Sequence, residues 1–179
     1  MDETKPQIEI LFASADIAKR NTELAEEIAM TLGSDILVIA VLKGSFVFAA
    51  DLIRALHHAG VHPQIDFMAL SSYGDKTVSS GTVVITRDIV DTVKGRKVLL
   101  IDDILESGRT MDFATKELLA RGAETVKTCL MLDKKGKRIN EFEADFIGFD
   151  CPDLFVVGYG LDYAHYYREL PYIGYIVRD

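Results

Sequence analysis

Two aliphatic runs constrain this chain more than any other feature: ILVIAV at residues 36–41 and VLLI at residues 98–101. A strand that faces water on one side alternates apolar and polar residues. A run that is apolar throughout suits a parallel strand covered on both faces. The flanking patterns supply the cover. SADIAKRNTELAEEIAMTLGSD, residues 14–35, puts Ile17, Leu24, Ile28 and Leu32 on one helical face and stops at Gly33. FVFAADLIRALHHAG, residues 46–60, keeps helical spacing up to a Gly stop, and TMDFATKELLARGA, residues 110–123, aligns Met111, Ala114 and Leu118. Further strands are predicted at 64–70, 82–89, 97–102, 125–132, 146–149, 154–160 and 172–177, with a polar loop at 71–81 and a charged loop at 133–145. Strands alternating with helices give an α/β fold with a mainly parallel central sheet flanked by helices.

With 179 residues, a single domain over 1–179 is expected. The net charge of −8 argues against a nucleic-acid partner, which needs a basic face. Cys129 and Cys151 form no C-x-x-C and no disulfide framework. The acidic start MDETKPQIEILF carries no signal-peptide pattern, and no run approaches the roughly 18 apolar residues of a membrane span. The expectation is a cytoplasmic protein with no membrane contact.

In sheets of this kind ligands sit beyond the carboxyl ends of the strands. Three such loops carry unusual residues: LKGS (42–45), SSYG (71–74) and DDILESGRT (102–110). In the third, Gly108 removes side-chain bulk, Ser107 and Thr110 offer hydroxyls, and a helix start presents N–H groups to an anion. There is no G-x-x-x-x-G-K-[ST], so this is not a P-loop. Carboxylates repel phosphate, so Asp102 and Asp103 should face sugar hydroxyls or a metal. The competing reading is a strand end followed by a capped helix. A phospho-acceptor receiver domain also has an acidic pair, but after its first strand, whereas this pair lies past the middle of the chain.

The stretch VLLIDDILESGRT resembles the PRPP-binding motif of the type I phosphoribosyltransferases (PRPP is 5-phosphoribosyl 1-diphosphate). VLKGSFVFAADL resembles that family's pyrophosphate loop and LSSYG its mobile lid. LFVVGYGLDYAHYYRELPYIG resembles the C-terminal segment of the hypoxanthine-guanine phosphoribosyltransferases. The resemblance runs from about residue 8 to the C-terminus, with the motifs in the family's order. It implies the type I phosphoribosyltransferase fold, with a small hood formed by the N- and C-terminal segments.

It also implies an activity: a 6-oxopurine displaces pyrophosphate from C1 of PRPP, giving IMP or GMP, with Mg2+ as cofactor and a homodimer or homotetramer as the assembly. By the resemblance, Ser107, Gly108, Arg109 and Thr110 hold the 5-phosphate, while Asp102 and Asp103 bind the ribose hydroxyls, directly or through magnesium. Lys43, Gly44 and Arg168 bind pyrophosphate, and a non-proline cis peptide precedes Lys43. Ser72 and Tyr73 belong to the lid. Lys134 bonds the purine O6, Phe155 stacks on the base, Val156 offers its backbone, and Asp162 lies at the base and ligates magnesium. Glu106 stands where the family usually has an Asp that handles the purine N7 proton, and is the expected general acid/base.

Two alternatives stand beside this reading: an RNA-binding regulator on the same fold, and a phosphoribosyltransferase for uracil or orotate. His57 and His58 read as helix-end residues interacting with its carboxyl terminus, His62 and His165 show no metal-ligand spacing, Cys129 reads as a small core hydrophobe, and Tyr163, Tyr166, Tyr167 and Tyr172 read as packing or a subunit interface.

Overall fold

The computed structural model describes residues 6–75 and 78–177, with the side chains of 72–81 outside that description. The central sheet has six strands: β2 (Leu37–Leu42), β3 (Gln64–Asp75), β4 (Val78–Arg87), β5 (Lys97–Leu105), β6 (Thr125–Asp133) and β7 (Phe146–Asp150). Their order is β4-β3-β2-β5-β6-β7. Every neighbouring pair is parallel except β3 with β4.

The aliphatic runs are explained by what lies above and below them. On one face Val38 and Ala40 of β2 and Leu99 and Ile101 of β5 pack with Ile17, Leu24 and Ile28 of α1 (Ser14–Leu32) and Phe48 and Leu52 of α2 (Phe46–His58). On the other, Leu37, Ile39, Val41, Val98 and Leu100 pack with Met111, Ala114 and Leu118 of α3 (Arg109–Ala120). Alternate residues of one strand thus enter two separate cores, and neither face can be polar. Burial of one such side chain contributes about 1.5–3 kcal/mol. Cys129 is fully buried in the first core, and burial pushes its thiol pKa up.

A second, antiparallel sheet joins the chain ends: β1 (Ile8–Phe12), β9 (Ile173–Ile176) and β8 (Val156–Val157), in the order β1-β9-β8. This is the hood that the resemblance implied. Among the described residues no helix is long and apolar enough to cross a membrane.

Three expectations need correction. The stretch 71–81 is not a loop: β3 continues to Asp75 and β4 begins at Val78. Ser71 pairs with Val84, Ser72 with Val83 and Tyr73 with Thr82. Backbone pairing is indifferent to polar side chains, so the hairpin extends through residues that read as loop. Lys76 and Thr77 lie outside the described residues, as do the side chains of the lid residues Ser72 and Tyr73. Second, only Val156–Val157 of the stretch 154–160 is strand. Gly158, Tyr159 and Gly160 have φ of 92°, 51° and 101°, which no strand ladder accommodates. Third, Ile8–Phe12 is a strand that periodicity missed, because a register shift between Ile10 and Phe12 breaks its alternation.

Candidate active site

The carboxyl ends of β2, β5 and β6 converge with the turn after β8. Gly44, just past β2, passes so close to Asp103 that a Cβ built on it would fall inside that carboxylate. A Cβ on Gly160 would in turn strike the Gly44 carbonyl oxygen. Glycine at both positions lets three loops touch through backbone and one carboxylate. The Leu42–Lys43 peptide is cis, as the resemblance implied, and Lys43 is exposed beside it.

Asp102 and Asp103 are half-buried at the end of β5. Burial, then the neighbouring Asp103 charge, pushes the Asp102 carboxyl well above the usual range. Burial also raises Asp103, against the charge of Arg168 and a hydrogen bond from Asp102. Two adjacent acids that resist ionisation suit a partner carrying hydroxyl donors or positive charge. Asp102 lies with Ile104, Leu105, Glu106, Ser107, Gly108, Thr110 and Met111 on a cleft of about 180 Å³. Gly108 takes φ 82° at the N-cap of α3, where it has no side chain to cap the helix. Ser107 Oγ accepts from the Arg109 N–H at 3.4 Å, while the Arg109 side chain faces solvent.

The Glu106 carboxylate lies 3.1 Å from Lys134 Nζ. Lys134 is 4 % exposed and also donates to the Leu154 carbonyl at 2.8 Å, with Asp153 at 3.3 Å. Burial opposes its charge, but the Glu106 and Asp153 carboxylates outweigh that and raise its pKa. The expected proton handler and the expected O6-binding lysine are therefore neighbours. Phe155 is 40 % exposed, edge-on to Tyr163 at 5.5 Å, and Val156 is buried beside it.

Arg168 ties the remaining pieces together, donating to the Gly160 carbonyl at 2.6 Å and pairing with Asp162 at 2.7 Å. The other Asp162 oxygen accepts from the His165 N–H at 2.8 Å. That bond braces a two-residue hairpin in which Tyr163 and Tyr166 exchange backbone bonds around Ala164 and His165, both at positive φ. Among the described residues no group of three or more His, Cys, Asp or Glu could hold a metal ion. The carboxylates fit a hard divalent cation only if a phosphorylated substrate completes its oxygen shell.

Sequence reasoning missed two supports. Tyr159 is anchored by Asn21 Nδ2, which donates to its hydroxyl at 2.8 Å, and by Asp51, which accepts from it at 2.7 Å. Burial, then Asp51, raises the Tyr159 pKa. The signal was present: Asn21 interrupts the apolar stripe Ile17–Leu24–Ile28. The other support is the segment after β6, of which the sequence reading singled out only Lys134. There Arg138 reaches the Glu106 carbonyl and Asn140 packs on Gly108.

The raised acids give a pH prediction. A carboxyl whose folded pKa lies above its unfolded value, about 4, binds more protons when folded. The contribution of these two acids to the stability of the ligand-free protein is then present below pH about 4 and is lost as pH rises through the raised range. Asp102→Asn should flatten that fall. Urea melts of both proteins between pH 4.5 and 7.5 check it, and identical slopes would exclude it.

The profile of the phosphoribosyl transferase domain matches residues 7–164. The hypoxanthine-guanine phosphoribosyltransferase of Aquifex aeolicus is 43 % identical over 175 residues, 97 % of this chain and 96 % of that protein. That of Bacillus subtilis is 45 % identical over 166 residues, 92 % of this chain and 91 % of that protein. The crystal structure of a hypoxanthine-guanine phosphoribosyltransferase from Bacillus anthracis superposes with TM-score 0.89 at 40 % identity, covering 97 % of this chain and 100 % of that one. With near-complete coverage and the convergent loops already described, the chain belongs to the phosphoribosyl transferase family, in its hypoxanthine-guanine group.

Proposed function

We propose that this protein is a purine-salvage enzyme that transfers the 5-phosphoribosyl group of PRPP to N9 of hypoxanthine or guanine, releasing pyrophosphate. The observation that carries the reading is the pairing of Glu106 with buried Lys134 beside the cleft lined by residues 102–111. A hydrogen-bond donor for O6 and a proton acceptor for N7 suit a 6-oxopurine, not a pyrimidine.

In this mechanism Ser107, Gly108, Arg109 and Thr110 hold the 5-phosphate through backbone and hydroxyl donors. Asp102 and Asp103 take the vicinal ribose hydroxyls, and once ionised beside the bound substrate their carboxylates favour the positive charge developing at C1. Lys43, Gly44 and Arg168 take the pyrophosphate; the planar Arg168 fork, now spent on Gly160 and Asp162, matches phosphoryl oxygens. Lys134 donates to O6, Phe155 stacks on the base, and Val156 and Asp162 border its edge. The N9–C1 bond forms as the C1–O bond to pyrophosphate breaks, pyrophosphate keeps that electron pair, and the N7 proton passes to Glu106. Ser72 and Tyr73 close over the site and exclude water. Asp162, Asp102 and Asp103 would hold Mg2+, which when bound supplies positive charge beside the departing pyrophosphate.

The same proposal includes a single domain, a cytoplasmic location, no nucleic-acid partner, and a homodimer or homotetramer. Exposed Phe46, Tyr163 and Tyr166 are apolar surface of the kind that subunits cover. The test is a base panel. Purified protein receives PRPP, magnesium and separately hypoxanthine, guanine, xanthine, adenine, uracil or orotate. Rapid IMP or GMP formation is expected. Nucleotide from uracil or orotate alone would overturn the purine assignment, and none from any base would favour the regulator.

A further inference from the structure

Three successive carbonyls, starting at the last residue of β5, turn to the same side. Leu105 O accepts from the Lys134 N–H at 2.9 Å, Glu106 O from the Arg138 guanidinium at 3.1 Å, and Ser107 O from the Ile139 N–H at 3.2 Å. Along a regular strand successive carbonyls alternate, so this run is set from outside. Across a planar trans peptide the carbonyl and the following N–H point opposite ways. The N–H groups of Glu106, Ser107 and Gly108 therefore turn away from the β6–β7 segment. Successive N–H groups facing one side form a concave anion site.

Two of the three bonds come from backbone. The middle one depends on a single side chain. Arg138 is itself fixed by an ion pair with Asp133, which is 3 % exposed at the end of β6. Its two guanidinium ends thus join a buried acid to the main chain of Glu106. Asn140 adds a stop on the same side: its Oδ1 would clash with a Cβ on Gly108, and it accepts from the Phe142 N–H at 3.4 Å.

We infer that Arg138, clamped by Asp133, is a positioning residue that turns the Glu106–Gly108 amides toward the ribose 5-phosphate. The inference rests on the proposed reading of that cleft. In this inference Arg138 acts through the Glu106 peptide, to whose carbonyl it donates. It should govern the 5-phosphate end and leave the pyrophosphate end, built by Lys43, Gly44 and Arg168, unaltered.

Calorimetric titration with ribose 5-phosphate and, separately, pyrophosphate plus magnesium separates the two ends. Arg138→Met should weaken ribose 5-phosphate about 10- to 100-fold, the range of one hydrogen bond from a charged donor, and leave pyrophosphate within about threefold. Because Arg138→Met leaves the buried Asp133 with only the Lys135 ammonium at 4.0 Å, Asp133→Asn/Arg138→Met is the decisive variant. It should regain melting temperature and keep the ribose 5-phosphate defect. Arg138→Lys, a point charge without the fork, should recover affinity only in part. Wild-type ribose 5-phosphate affinity in the double variant would overturn the inference. So would equal loss of both ligands with a lowered melting temperature, which marks a purely structural role. If the wild-type protein binds pyrophosphate but not ribose 5-phosphate, the cleft assignment itself fails.

Discussion

Glu106→Gln lowers kcat for IMP or GMP formation by about 10²- to 10⁴-fold and leaves PRPP affinity within about threefold; this is the expected result if Glu106 takes the N7 proton. The substitution isolates proton transfer. Gln has the length of Glu, and its amide oxygen can still accept from Lys134 Nζ, now 3.1 Å from the carboxylate. Lys134 also keeps Leu154 O and Asp153, so it remains oriented toward the base. What disappears is the capacity to hold a proton. Glu106→Asp separates charge from length. It retains a carboxylate but shortens the reach by one methylene, and the resemblance places an Asp here in relatives. Activity within about tenfold of wild type is expected. Steady-state kinetics with PRPP binding measured separately check both variants. A Glu106→Gln enzyme with unchanged kcat would reduce Glu106 to a partner for Lys134.

Sequence legibility followed the physics of each feature. β2 and β5 were readable because two covered faces demand aliphatic residues at every position, and α1 because one covered face demands a stripe. The acid–glycine loop was readable because carboxylates beside a helix start have few structural uses. What escaped depends on pairing between distant segments. The β3–β4 hairpin is held by backbone bonds between Ser71–Tyr73 and Thr82–Val84, which side-chain pattern does not encode. β1 needs β9, more than 160 residues away, to become a strand. Arg138 shows the limit most sharply. In a charged loop nothing marks one Arg from its neighbours, and only the fold brings it from after β6 to a carbonyl after β5. The ion pair between Asp162 and Arg168 was likewise invisible, although both residues had been singled out separately.

Gly160→Ala should lower kcat/KM for PRPP by about 100-fold or more, the scale expected when reacting groups shift by about an ångström. Two penalties coincide at this residue. Its φ of 101° lies where side-chain-bearing residues are strained, costing about 1–3 kcal/mol. Its new Cβ also meets the Gly44 carbonyl oxygen, and Gly44 already presses on the Asp103 carboxylate. Main chain cannot swing aside as a flexible side chain can. The displacement therefore passes to Lys43, the pyrophosphate contact, and to Asp103, the ribose contact. Gly60→Ala provides the comparison. Gly60 has φ 82° at the end of α2, and its Cβ would meet nothing within 4 Å. That variant carries the strain alone and should lose stability, with kcat/KM unchanged. Melting curves and steady-state kinetics on the pair then divide strain from displacement. If Gly160→Ala loses only stability, matching Gly60→Ala, the three loops tolerate movement and their close approach does not set the geometry of catalysis.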